Sequence, residues 1–186
     1  MDAIRSRRSI SKFLPEPVPI ADLKQVLAAG TWAPNHHLNE PWRFIIIGPH
    51  VRQRLAERYA DLRVERIPVE AVDRRLRVRE ENIRKFTGIP VIVAVATMQK
   101  GDEQQRREDY AATCCAMQNI QLAAWAEGIG MKWSTNAITR DLLAYELLEL
   151  DPQRFYIIGF LYAGFPADVP IRERKLPLDE VIRSTP

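Results

Sequence analysis

Cysteine is almost missing from this chain, and the two present, Cys114 and Cys115, are adjacent in an apolar stretch that reads as helix. Side chains of neighbouring helical residues diverge, so no disulfide is expected between them, and no CxxC spacing offers a metal or redox pair. Two buried core thiols in a reducing cytoplasm is the reading. Histidine is scarce as well: His36, His37 and His50 are the only three. Consecutive histidines seldom share a metal, and no third ligand stands at a suitable local spacing, so no metal site is expected. Long apolar runs are also lacking. The longest, 44–47 and 91–96, fall far short of a membrane span. The first thirteen residues are positively charged with no apolar segment behind them, so no secretory signal is expected and the protein reads as cytoplasmic. Charge of one sign is not in large excess. A net +3 suits a small anionic ligand but does not argue for nucleic acid.

Catalytic motifs are missing too. There is no Ser-His-Asp order, HExxH or P-loop, and few carboxylates lie outside the charged helices, which makes paired-acid hydrolysis unattractive. Gly128 and Gly130 follow a helix rather than a strand and no third glycine comes, so this is not a dinucleotide fingerprint. A chain without its own catalytic set, but with a basic arm and a glycine turn, implies that a cofactor supplies the chemistry.

What is present describes one globular domain. The 186 residues are 46% hydrophobic and 27% charged, enough for a real core and without an internal linker. Asp2 can cap a short first helix, with Ile4 as its apolar contact. The stripe Leu23, Val26, Leu27 predicts a second helix over 20–29, stopped by Gly30. A polar loop over 31–41 leads to a buried strand over 42–47, and 50–61 reads as helix. Over 69–86 the acid-before-base pairs Glu70–Arg74, Asp73–Arg77, Glu80–Arg84 and Glu81–Lys85 predict a solvated helix rather than a nucleic-acid surface. Strands are expected over 90–97 and 155–162, with a short strand or extended turn over 132–135. Thr139 is expected to cap a helix running to Leu150. The longest helix, over 109–127, is apolar on nearly every side, which in so small a domain predicts a helix shared with a second copy. The incomplete alternation of strands and helices favours a layered α+β fold over a doubly wound one.

Two groups of residues can hold a ligand. Arg5, Arg7, Arg8 and Ser9 offer guanidinium groups and a hydroxyl for forked, charge-assisted bonds to phosphate. The turn at 127–130, followed by Ser134 and Thr135, can bring backbone amides close to a planar ligand.

In order along the chain, Arg7-Arg8-Ser9, Ala33-Pro34 through Glu40-Pro41-Trp42-Arg43-Phe44, Glu127-Gly128-Ile129-Gly130, and the stretch 159–166 before a basic tail resemble the nitroreductase family. The short insertion between the first strand and the long helix is similar to its compact YdjA-type branch. The resemblance spans about residues 4 to 182. It implies an α+β domain with a central, mostly antiparallel sheet packed by helices, working as a homodimer with FMN at the subunit interface. The domain would cover 1–186, with a tail over 167–186 wrapping the partner subunit. The implied activity is ping-pong hydride transfer from NADH or NADPH through FMN to nitroaromatics, quinones or similar electron-poor small molecules. Alternatives on the same fold are ring oxidation, reductive dehalogenation, or a non-catalytic flavin sensor. The resemblance assigns Arg7, Arg8 and Ser9 to the phosphate and ribityl end, with Arg174 or Lys175 as a further phosphate contact. It assigns His36, Trp133, Ser134 and Thr135 to the flavin and Trp32 to the flavin of the other subunit. Ala123, Ala124, Trp125, Ala126, Glu127 and Gly128 form the implied NAD(P) region. No side chain is expected to act as an obligatory acid. Many members carry Arg or Lys where Ser11 stands, an Asn where Leu38 stands and a Gln where Glu40 stands; with no cation at Ser11, stabilising the reduced ring is left to backbone amides or Lys12.

Overall fold

The computed structural model describes residues 1–171, 173 and 175–185. Among the described residues six α-helices and four strands follow in order: α1 Asp2–Ser6, α2 Ile20–Gly30, β1 Trp42–Ile46, α3 Pro49–Val64, α4 Val72–Thr87, β2 Val91–Met98, α5 Glu103–Ala126, β3 Gly130–Ser134, α6 Leu142–Leu147 and β4 Phe155–Gly164. The strands form one antiparallel sheet in the order β1-β2-β4-β3. Helices cover both faces, as a layered α+β fold requires.

Strand alternation sorts the apolar side chains into two cores. Val93, Val95, Leu161 and Ala163 face α2 and α5, joining Leu23, Val26, Met117 and Ile120. Ile92, Ala94, Ala96, Phe160 and Tyr162 face the other way, joining Leu55, Phe86 and Ala144 from α3, α4 and α6. Between Val95 and Ala96 the register with β4 slips, because Val95 pairs with Gly159 but Ala96 with Ile157. Ile158 is the extra residue of a bulge, and it turns into the α2–α5 core.

α5 begins six residues earlier than its apolar pattern suggests. Asp102 caps it, accepting from the Gln105 backbone N–H at 2.9 Å, and Glu103–Arg107 pairs along its polar first turns. Ala112, Thr113, Ala116, Met117, Ile120, Gln121 and Ala124 form its buried stripe. On the opposite side Ala111, Cys115 and Gln118 are exposed and Leu122 is half-buried. The expectation of two core thiols is therefore corrected: Cys114 is half-buried and Cys115 is open to solvent. Gly128 ends the helix with φ +75, a left-handed turn that a side chain would resist.

Two further expectations change. Thr139 caps no long helix; its hydroxyl donates to the Asn136 carbonyl within a 3-10 turn, and Asp141 caps the shorter α6. Of the four expected ion pairs on the charged helix, Glu81–Lys85 forms at 2.5 Å. Among the other described ions of that region, Arg79 instead reaches Asp61 on α3 at 2.8 Å. Among the described residues no helix is long and apolar enough to cross a membrane.

Candidate functional site

The N-terminal arm is held against β3. Ser9 bridges Met131 in parallel, and the Ile10 N–H donates to the Met131 carbonyl at 3.0 Å. α1 is tied to the far end of α5, where the Trp125 indole N–H donates to the Ser6 hydroxyl at 2.8 Å. Arg8 donates from one guanidinium nitrogen to the carbonyls of Arg5 and Arg7 at 2.8 and 2.9 Å, which fixes its position. Arg5, Arg7, Arg8, Ser9 and Ser11 line a cavity of about 660 Å3 together with Ile4, Pro170 and Glu173. Three cations and two hydroxyls against one carboxylate around one hollow are suited to a phosphate.

A second hollow of about 530 Å3 shares Ser11 with the first. Its apolar lining is Phe13, Phe86 and Ile89; Lys12, Lys85 and Lys132 bring charge, and Asn82, Ser134, Asn136, Tyr59 and Tyr162 bring hydrogen-bonding groups. An apolar slot with polar edges, joined through one serine to a cationic pocket, suits a planar ring system with a phosphate-bearing side chain.

Strand geometry divides the implied 133–135 segment. Lys132 and Ser134 pair with Tyr162 and Phe160 and share the α3–α4 face, where the slot lies. Trp133 pairs with Leu161 and turns to the other face, its indole lying over Gly159 where a Cβ would collide with it. Thr135 is exposed beyond the end of β3. Sequence reading named Lys12 only as a stand-in for the missing cation and passed over Asn82, Lys85, Lys132 and Tyr162. The signal for Asn82 was Phe86 one turn further along α4, with Ile89 just past the end of the helix.

Tyr162 is buried at the slot. Burial pushes its hydroxyl up to about 12, against the hydrogen bonds of Ser134 and Asn136, the latter donating from Nδ2 at 2.8 Å. A phenol that ionises later in the fold than in the unfolded chain gives stability that is complete below about pH 10 and fades as pH rises toward 12. Tyr162→Phe is expected to flatten that decline. Urea unfolding of both proteins at pH 9 and pH 11 measures it, and an equal loss in the two would show that another group is responsible.

The remaining implied residues lie elsewhere on the protomer. His36 meets Glu108 near the start of α5, Nδ1 to Oε2 at 2.6 Å, and stacks on His37 with centroids 3.9 Å apart. Hydrogen bonds from Gln104 and then His36 hold the Glu108 carboxyl below its usual range. Asn39 donates to the buried Asp109 at 3.3 Å, and Asn35 Oδ1 accepts from the Glu40 N–H at 2.9 Å. His37, Leu38 and Glu40 all have positive φ, between 44 and 53, although none is glycine. Such backbone persists only where the surroundings enforce it. Trp32 and Leu38 on this loop are 87% and 83% exposed. No group of three metal-ligating side chains occurs among the described residues.

Of the NAD(P) region, Ala124 is packed in the core, Trp125 is bonded to Ser6, and Ala126, Glu127 and Gly128 are exposed. Lys175 is exposed, and Arg174 lies outside the described residues. The structure thus gathers Arg7, Arg8, Ser9 and Ser134 along two joined hollows. His36 and Trp32 stand apart. Glu108 and Trp125 mark the two ends, seventeen residues apart on α5, a distance of about 25 Å at ~1.5 Å per residue.

Residues 4–165 match the model of the nitroreductase family. A Bacillus subtilis (strain 168) protein, provisionally named NAD(P)H nitroreductase YfhC, is 34% identical over 180 residues, covering 95% of this chain and 89% of its own. The crystal structure of a nitroreductase-like family protein from Bacillus cereus superposes with a TM-score of 0.80 at 29% identity, covering 99% of this chain and 94% of that one. A Desulfovibrio desulfuricans structure described as a nitroreductase in complex with FMN gives 0.75 at 28% identity, covering 100% and 95%.

Proposed function

Because the chain belongs to the nitroreductase family, a family of oxidoreductases, we propose that it binds FMN between two copies of itself and uses NAD(P)H to reduce small electron-poor molecules. The observation that carries the reading is the joined pair of hollows, cationic at the Arg7–Arg8 end and apolar with lysines and amides at the Ser134 end. FMN held there would supply two-electron chemistry between NAD(P)H and an acceptor such as a nitroarene or quinone, in two half-reactions.

The chain's own contribution is binding, orientation and charge. Arg7, Arg8 and Ser9 would hold the phosphate, while Phe13, Phe86 and Ile89 exclude water from one end of the ring. Asn82, Ser134 and Asn136 offer polar contacts to its edge. The exposed 126–128 turn, beside the arm, is the proposed approach for the nicotinamide cofactor, and the tail over 167–186 is proposed to reach across the partner.

Shared construction is supported by the separation along α5. His36, bonded to Glu108, lies about 25 Å from the arm's Trp125 contact at ~1.5 Å per residue, and an antiparallel pairing of two α5 helices would bring one chain's loop to the other chain's arm. The exposure of Trp32 and Leu38, and of Ala111, Cys115 and Gln118 along the outer side of α5, supports this arrangement. The purified protein is expected to be yellow and to bleach under anaerobic NADH or NADPH, with colour returning on addition of a nitroarene or quinone. A protein that stays colourless after incubation with FMN overturns the proposal, and flavin that no pyridine nucleotide bleaches assigns the chain a binding role without turnover.

A further inference from the structure

Resting on that reading, we propose that Lys132 is the charge that tunes the reduction potential of the bound flavin. Three ammonium groups line the slot, and the structure distinguishes them. Lys85 is paired with Glu81 at 2.5 Å, so a carboxylate cancels much of its field; the bond and charge of Lys85 in turn hold the Glu81 carboxyl below its ordinary range. Lys12 is exposed, and water screens it. Lys132 is half-buried and, among the described residues, makes no ion pair.

Its position is also rigid. β3 is bonded on one side to β4, with Lys132 opposite Tyr162, and on the other to the arm through Ile10. The polar groups beside it on the slot wall, Ser11, Ser134, Asn136 and Tyr162, are neutral in ordinary buffers. An ammonium with no carboxylate partner, fixed on a paired strand, interacts most strongly when negative charge arrives nearby. Two electrons entering the ring deliver that charge. Lys132 would then favour the reduced form over the oxidised one rather than simply holding both.

Anaerobic redox titration of the FMN-loaded protein against a reference dye tests this. Lys132→Met is expected to weaken binding of the reduced flavin about tenfold relative to the oxidised, a fall of about 30 mV for a two-electron couple. Lys132→Arg should keep the wild-type potential, and adding Ser11→Lys to Lys132→Met should restore it. If Lys132→Met does not fold, Lys132→Gln reads the same difference. An unchanged potential, or equal losses of oxidised and reduced binding, overturns the assignment while leaving the flavin reading intact. A wild-type chain that takes up no FMN overturns both.

Discussion

Replacing Arg7 and Arg8 together by alanine is expected to lower FMN affinity at least a hundredfold while leaving the fold intact. Both guanidinium groups are half-buried on the wall of the cationic hollow, and Arg8 is pinned by the carbonyls of Arg5 and Arg7. Little ordering cost remains for binding to meet. Removing one partner of a buried, hydrogen-bonded charge pair costs about 2–5 kcal/mol, and each ~1.4 kcal/mol is tenfold. Neither arginine belongs to the buried core, so stability should change little. Quenching of flavin fluorescence measures the affinity, and riboflavin is the control, since it lacks the phosphate and should bind both proteins alike. Unchanged FMN affinity would remove the arm from the site.

The second large effect is expected at Cys115. An antiparallel α5 pair that brings the Glu108 end against the Trp125 end has its centre near residues 116–117, flanked by the exposed Cys115 and Gln118, of which Cys115 is the smaller. Cys115→Arg would place two cations against each other at the symmetry axis, with bulk where small residues allow close approach. The variant should sediment as a monomer and lose flavin at least a hundredfold, although every residue of the arm is untouched. Circular dichroism should remain that of the wild type, because the side chain points away from the core stripe of Ala112, Ala116 and Ile120. A dimer that still binds FMN would place the shared face elsewhere.

The sequence made the sheet strands legible because Val91–Met98 and Phe155–Gly164 are buried on both faces and read as unbroken apolar runs. Polar ends were harder. The first turns of α5 are stabilised by the Asp102 cap and side-chain pairs, which leave no apolar period, and the 139–150 stretch breaks where Asp141 provides a stronger cap than Thr139. For the site, the arginine arm stood out by composition. Asn82 and Lys85 did not, since a helix of alternating charges looks wholly solvated until one of its faces is known to border a hollow. Nor could pattern alone separate Trp133 from its neighbours: the resemblance names a segment, whereas the pleat decides which members of it share a face.

The bulge at Ile158 has a consequence for how this protein can vary. It puts Ile158 and Gly159 on the same side of β4, because Ile157 pairs with Ala96 and Gly159 with Val95 and one residue is left over between them. Removing Ile158 alone would close the ladder into regular alternation and leave Tyr162 on the slot side, at the cost of one side chain from the α2–α5 core. Elsewhere in β4 no spare residue absorbs a deletion, so this strand can change length at its bulge and nowhere else without losing its register.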